Sequence, residues 1–198
     1  MFMQVIRGKV KDAAALRAAD EDWKKNLKPG AKGYLGSTGG VADDGTAILT
    51  ARFDSEASAR ANSDRPEQGE WWNNVGSKAF EGNVTFVDCS DVQVMGGGGS
   101  DQAGFVQVMF GKADAAKYRE MSQQFESQVA EIRPDVMGSI TGFTSDGRFV
   151  DLTYFTSEAE AREGEKKDLP PDMQESMSEF SQMIEEFVDL RNPWFDSA

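Results

Sequence analysis

The chain repeats itself, and that repeat constrains its fold more than any other feature. Phe2-Met3-Gln4-Val5-Ile6-Arg7-Gly8-Lys9 returns as Phe105-Val106-Gln107-Val108-Met109-Phe110-Gly111-Lys112, and both runs lead into Asp-Ala-Ala, at Asp12 and Asp114. Farther on, Gly36 to Arg60 aligns without a gap to Gly138 to Arg162, with 11 of 25 positions identical. Self-similarity of this kind marks a duplicated structural unit. The 198 residues divide into a first copy, 1–95, a connector, 96–102, and a second copy, 103–198. The connector begins Gly96-Gly97-Gly98-Gly99 and is flexible by composition. No Lys-Ser or Lys-Thr pair follows these glycines, so they read as a linker and not as a phosphate-binding loop.

Within each copy the hydrophobic pattern has the same order. The strands at 2–9 and 105–111 open on runs apolar on both faces, interrupted by Gln4 or Gln107 and, in the first copy, ended by Arg7, which predicts strands covered on both sides. Asp12 and Asp114 are N-cap residues for helices whose apolar stripes are Leu16, Ala19, Trp23, Leu27 and Tyr118, Met121, Phe125, Val129. Pro29-Gly30 and Pro134-Asp135 end these helices, and second strands follow at 33–41 and 137–143. Asp44-Gly45 and Asp146-Gly147 are hairpin turns leading to third strands at 47–53 and 149–155. Ser55 and Ser157 cap the next helices. In the second copy Asp172 opens a further helix with Met173, Met177, Phe180 and Ile184 on one face. Fourth strands at 84–87 and 187–190 close the copies. Strand, helix, strand, strand, helix, strand is the ferredoxin-like βαββαβ unit, here twice in an α+β chain. Such a unit leaves one sheet face bare, so the two antiparallel sheets are expected to pack together as an intrachain pseudo-dimeric α/β barrel.

With that order in place, the run Phe-x-Ser-Glu-Ala-x-Ala-Arg at Phe53–Arg60 and Phe155–Arg162 resembles the dimeric α/β-barrel superfamily, in particular its antibiotic biosynthesis monooxygenase-like branch. The resemblance covers nearly the whole chain twice. It implies the fold strongly and the chemistry weakly, because related proteins include cofactor-free oxygenases of polycyclic aromatics, haem-dependent enzymes, isomerases and others.

Composition narrows this range. The chain contains no histidine, which removes the nucleophile–imidazole systems, imidazole-ligated haem and most zinc chemistry. Cys89 is the sole cysteine, so no internal disulfide or cysteine metal cluster is available, and a reducing, cytoplasmic location is expected. The N-terminal run is too short for a signal peptide or a membrane span. No cofactor is expected. A net charge of -13, of which -2 falls in residues 1–95 and -11 in residues 96–198, argues against nucleic acid as a partner. A chain that contains its own pseudo-dimer is expected to be a monomer.

Function is sought where the copies stop matching. After Arg60 the first copy carries Asn62, Asp64, Arg65, Trp71, Trp72, Asn73 and Asn74, a set with no counterpart in the second. Indoles stack on rings, amides bond carbonyls, and an Arg stabilises an enolate or phenolate, so Asn62, Arg65, Trp71, Trp72 and Asn73, with Tyr34, are the candidate ligand-binding residues. The plainer alternative is that one Trp faces the core, Asp64-Arg65-Pro66 is a turn and the amides are solvated. Two functions fit: binding of a small aromatic or oxygenated organic molecule without evident catalysis, or cofactor-independent oxygenation of an aromatic, polyketide-like substrate, with Asp64 as base and Arg65, Asn73 and Trp71 as orienting groups. Gln4 and Gln107 either bond across an interface or point into a cavity. The crowded Gly33, Gly36, Gly39 and Gly40 read as a strand bulge, and Cys89 has no base in reach by sequence.

Overall fold

The computed structural model describes residues 1–168 and 170–197, apart from the side chains at 127–130 and 172. Val129 and Asp172, assigned above to a helix face and a helix start, fall among those side chains. The chain forms two compact units, one of residues 1–90 with 194–198 and one of residues 91–193.

The first unit runs β1 (Phe2–Lys9), α1 (Ala13–Asn26), β2 (Tyr34–Val41), β3 (Thr46–Phe53), α2 (Glu56–Ser63), α3 (Pro66–Asn74) and β4 (Glu81–Cys89). The second runs β5 (Asp91–Met95), β6 (Phe105–Lys112), α4 (Ala115–Ile132), β7 (Val136–Phe143), β8 (Arg148–Phe155), α5 (Glu158–Gly164), α6 (Pro171–Met183) and β9 (Ile184–Leu190). A last strand, β10 (Trp194–Ser197), pairs with β2 and so returns to the first unit. The sheets are β10-β2-β3-β1-β4 and β5-β7-β8-β6-β9, antiparallel throughout. Each is open, with a free strand at either end, and neither closes on itself among the described residues. Ile184, assigned by spacing to the last helix, opens β9 instead. There it faces the same apolar cluster from the strand as Phe180 and Met183 do from α6.

Local chemistry explains these elements. The Asp12 carboxylate accepts the Ala14 amide at 2.8 Å, Ser55 accepts the Ser58 amide, and Ser157 accepts the Glu160 amide, each satisfying a helix-end donor. Both second strands carry a bulge, at Gly36 among the crowded glycines of the first copy and at Gly138 in the second. Register shifts between Tyr34 and Gly36 and again between Val136 and Gly138, where φ is +137° and +152°, a region that L side chains rarely enter.

Strand alternation gives β1 two buried faces. Met3 and Val5 lie on one, fully buried, and Phe2, Gln4 and Ile6 on the other, towards the helices. β6 repeats this with Val106 and Val108 against Phe105, Gln107 and Met109. The polar interruptions are matched pairs. Gln4 donates to Asp88 at 2.8 Å and Gln107 to Asp189 at 3.1 Å, while Arg60 and Arg162 bind the same two carboxylates. Each Gln is thereby held by its neighbouring strand while also lining the cavity on its helical side.

Candidate functional site

Each unit encloses a cavity between its sheet and its helices. The first, about 340 Å³, is floored by β1, β2 and β3 and roofed by α1, α2 and α3. Its walls are aromatic. Trp23 and Tyr34 lie 5.2 Å apart, Trp71 and Trp72 6.4 Å apart, and Phe86 meets Trp72 edge-on at 5.2 Å. Two of the indole N–H groups are engaged within the protein: Trp23 Nε1 donates to Gln68 Oε1 at 2.7 Å and Trp71 Nε1 to Asp22 Oδ2 at 2.9 Å. The rings are thus pinned, and they present faces and edges to the cavity.

The sequence-nominated residues divide sharply. Tyr34, Asn62, Trp71 and Trp72 line this cavity, and both indoles of the adjacent pair take part. Arg65 does not. Its guanidinium binds the Leu27 carbonyl at 3.1 Å, Asn62 Oδ1 at 2.9 Å and Glu67 at 2.9 Å, clasping the α2–α3 junction to the end of α1 and holding the Asn62 amide in place. Asp64 and Asn73 are exposed and outside the cavity wall, as is Asn74. Arg65 begins α3 as its N-cap, with Pro66 in the first turn, which turns Trp71 and Trp72 inward and leaves Asn73 and Asn74 outward. Burial, with Asp196 and Asp20 adding to it against a bond from Ser37, pushes the Tyr34 hydroxyl far above the ordinary tyrosine range, so it stays protonated. The Asp20 carboxyl, which lines the same cavity, is also raised by burial, although Lys24 at 2.7 Å opposes this.

The second cavity is larger, about 540 Å³, and chemically different. At its floor is Asp151, 2% exposed. Thr141 Oγ1 donates to Asp151 Oδ1 at 2.6 Å, Thr153 Oγ1 to Oδ2 at 2.7 Å, and the Tyr118 hydroxyl to Oδ1 at 3.3 Å. The partners of this carboxylate are hydroxyls, and none of the described ion pairs involves it. Burial raises its pKa above the ordinary aspartate value while the Thr141, Thr153, Tyr118 and Ser139 hydroxyls pull it back. Burial, then the neighbouring Asp151 charge, raises Tyr118 well above its ordinary value. Adaptable apolar side chains, Met109, Met121, Phe125, Met177 and Phe180, make up much of the remaining wall, alongside Gln107, Glu126, Arg133 and Glu165. An exposed phenylalanine stands at each mouth, Phe86 (46%) and its repeat equivalent Phe187 (55%).

The Asp151 cluster was not among the sequence candidates, yet a signal for it was there. At the repeat offset, Tyr118, Thr141, Asp151 and Thr153 correspond to Leu16, Gly39, Leu49 and Ala51. The paired registers agree, Thr141 opposite Asp151 and Gly39 opposite Leu49. Comparing the aligned third strands position by position exposes an acid where the other copy has a core leucine. Cys89 is buried, and its thiol is pushed up to about 12 by that burial and by Asp88, which leaves it inert as a nucleophile.

No family model and no curated protein matches this sequence. Solved structures do. A candidate monooxygenase from Fusobacterium nucleatum superposes on 100% of this chain and 95% of its own with a TM-score of 0.72 at 10% identity. An anthrone oxidase-like protein covers 100% and 93% with a TM-score of 0.68 at 9% identity. A candidate monooxygenase from Lactobacillus acidophilus covers 99% of both chains with a TM-score of 0.65 at 10% identity. At such identities the likeness is one of fold, and it runs the full length of this tandem α+β chain. Among the described residues no helix is long and apolar enough to cross a membrane.

Proposed function

We propose that the chain is a cofactor-independent monooxygenase of a planar, oxygenated aromatic substrate. The observation that carries this reading is the pair of aromatic-walled cavities, about 340 and 540 Å³, inside a fold shared along its whole length with oxygenase-like proteins. Both volumes fall in the range of about 300–1,000 Å³ typical of small-molecule sites. Fused rings suit walls built from indole, phenyl and thioether groups, and the few polar groups suit a carbonyl or phenol on those rings.

The chemistry needs no redox group from the protein. A ring-flanked CH₂ loses a proton to a base, the carbanion delocalises into the ring carbonyl, and dioxygen takes electrons from it and adds at carbon. Loss of water from the resulting peroxide leaves a new carbonyl, so that R₂CH₂ + O₂ gives R₂C=O + H₂O, with one oxygen atom in each product. Within the first cavity we assign Trp71 and Trp72 to stacking, and Tyr34 and Asn62 to the ligand's oxygen. Arg65 acts there through Asn62. Asp64 and Asn73, exposed and off the wall, receive no part in it. Oxygen-electrode measurements with anthrone and with a hydroquinone, after exhaustive chelation, test the reading. Uptake of one O₂ per anthrone consumed is the expected result, and uptake no faster than in buffer with either probe would overturn it.

A further inference from the structure

Building on that reading, we propose that the two cavities have divided the work: the second-unit cavity, through Asp151, removes the proton from a neutral polycyclic ketone, and the first-unit cavity holds such a molecule without turning it over. Four mutually bonded positions carry the first half. In the second unit Asp151, Thr141, Thr153 and Tyr118 form one hydrogen-bonded group at the cavity floor, and all four equivalents in the first unit lack a polar side chain. A carboxylate taken out of water with no cation beside it destabilises a fold. A base shielded from water, fixed by hydroxyls and facing a cavity of ligand size is what proton abstraction from carbon requires. In the step itself the substrate C–H bond breaks, its electron pair passes into the ring carbonyl as an enolate, and the proton moves to an Asp151 carboxylate oxygen. Thr141, Thr153 and Tyr118 are positioning residues that fix the carboxylate.

The second half rests on the first cavity. Its walls offer pinned ring faces, and its one acid, Asp20, is tied to Lys24. All four tryptophans of the sequence, Trp23, Trp71, Trp72 and Trp194, belong to the first unit. Tryptophan emission therefore reports occupancy of that cavity separately from chemistry in the other.

The test follows anthrone anaerobically by the absorbance of its enolate, with tryptophan quenching recorded in the same samples, for the wild type, Asp151→Asn and Thr153→Ala. Wild type is expected to generate enolate, Asp151→Asn to generate it at least about 100-fold more slowly, and both to show the same quenching. Thr153→Ala, which keeps the acid and loses a positioning hydroxyl, is expected to be slowed about tenfold with its quenching retained, and it serves alone if the Asn variant does not fold. Enolate at the wild-type rate in either variant overturns the assignment of Asp151, and loss of quenching together with enolate overturns the division between cavities. Enolate that depends on Asp151 but is never followed by oxygen uptake would uphold this inference and sink the oxygenase. Oxygen uptake that survives Asp151→Asn would do the reverse.

Discussion

Asp151 carries the sharpest consequence at the scale of single residues. Its pKa is raised by burial above the ordinary value of 3.8, so the folded chain retains the proton at pH values where the unfolded chain has released it. The stability contributed by that proton is complete below the unfolded value and is lost as pH rises through the folded one. An Asn at 151 does not titrate. Thermal unfolding across a pH series should therefore show wild type losing ground to Asp151→Asn as pH rises from about 4, and a gap that stays constant with pH would contradict the raised value. The same residue shows why the candidate site was only half legible. Trp71, Trp72, Asn62 and Tyr34 announce themselves by type, and the fold brings them around one cavity. Asp64, Arg65 and Asn73 announce themselves equally, but which way a residue faces at a helix junction depends on where α3 begins, a matter of one or two positions that composition does not fix. Asp151 looks like one more surface acid in an acidic half-chain until the strand register puts it opposite Thr141.

At the scale of elements, the strand–helix order was readable because the duplication reports each pattern twice. Caps at Asp12, Ser55 and Ser157, turns at Asp44-Gly45 and Asp146-Gly147, and bulges at Gly36 and Gly138 are local chemistry, and they occur where local chemistry places them. Two elements were not readable in this way. Residues 91–95 form β5, which pairs with β7, and residues 194–197 form β10, which pairs with β2. Both are edge strands whose partners lie far off in sequence, and edge pairing leaves little periodic trace in so few residues. β10 contributes through Trp194, buried against Val10, Leu16 and Ala47 and seated over Gly39, where a side chain would collide with the indole. Trp194→Ala should lower the stability of the first unit by about 3–5 kcal/mol, read by denaturant unfolding. A change below about 1 kcal/mol would mean that the strand is dispensable.

For the whole molecule, the strand placement separates repeat boundaries from unit boundaries. A fragment of residues 1–95 lacks β10 and carries β5 without its sheet, whereas a fragment of residues 91–193 has all five strands of the second sheet. The 91–193 fragment should melt at a higher temperature than a 103–198 fragment, which lacks β5; equal melting would show that β5 adds nothing. Function at this scale rests on one claim, that the chain moves one atom of dioxygen into an aromatic ring system by way of a carbanion. Turnover of anthrone under ¹⁸O₂, with mass spectrometry of the product, tests it most directly. The product is expected to carry a single ¹⁸O in the new carbonyl, formed at a rate that depends on Asp151. Unlabelled product, or labelled product formed as fast without the protein, would contradict it.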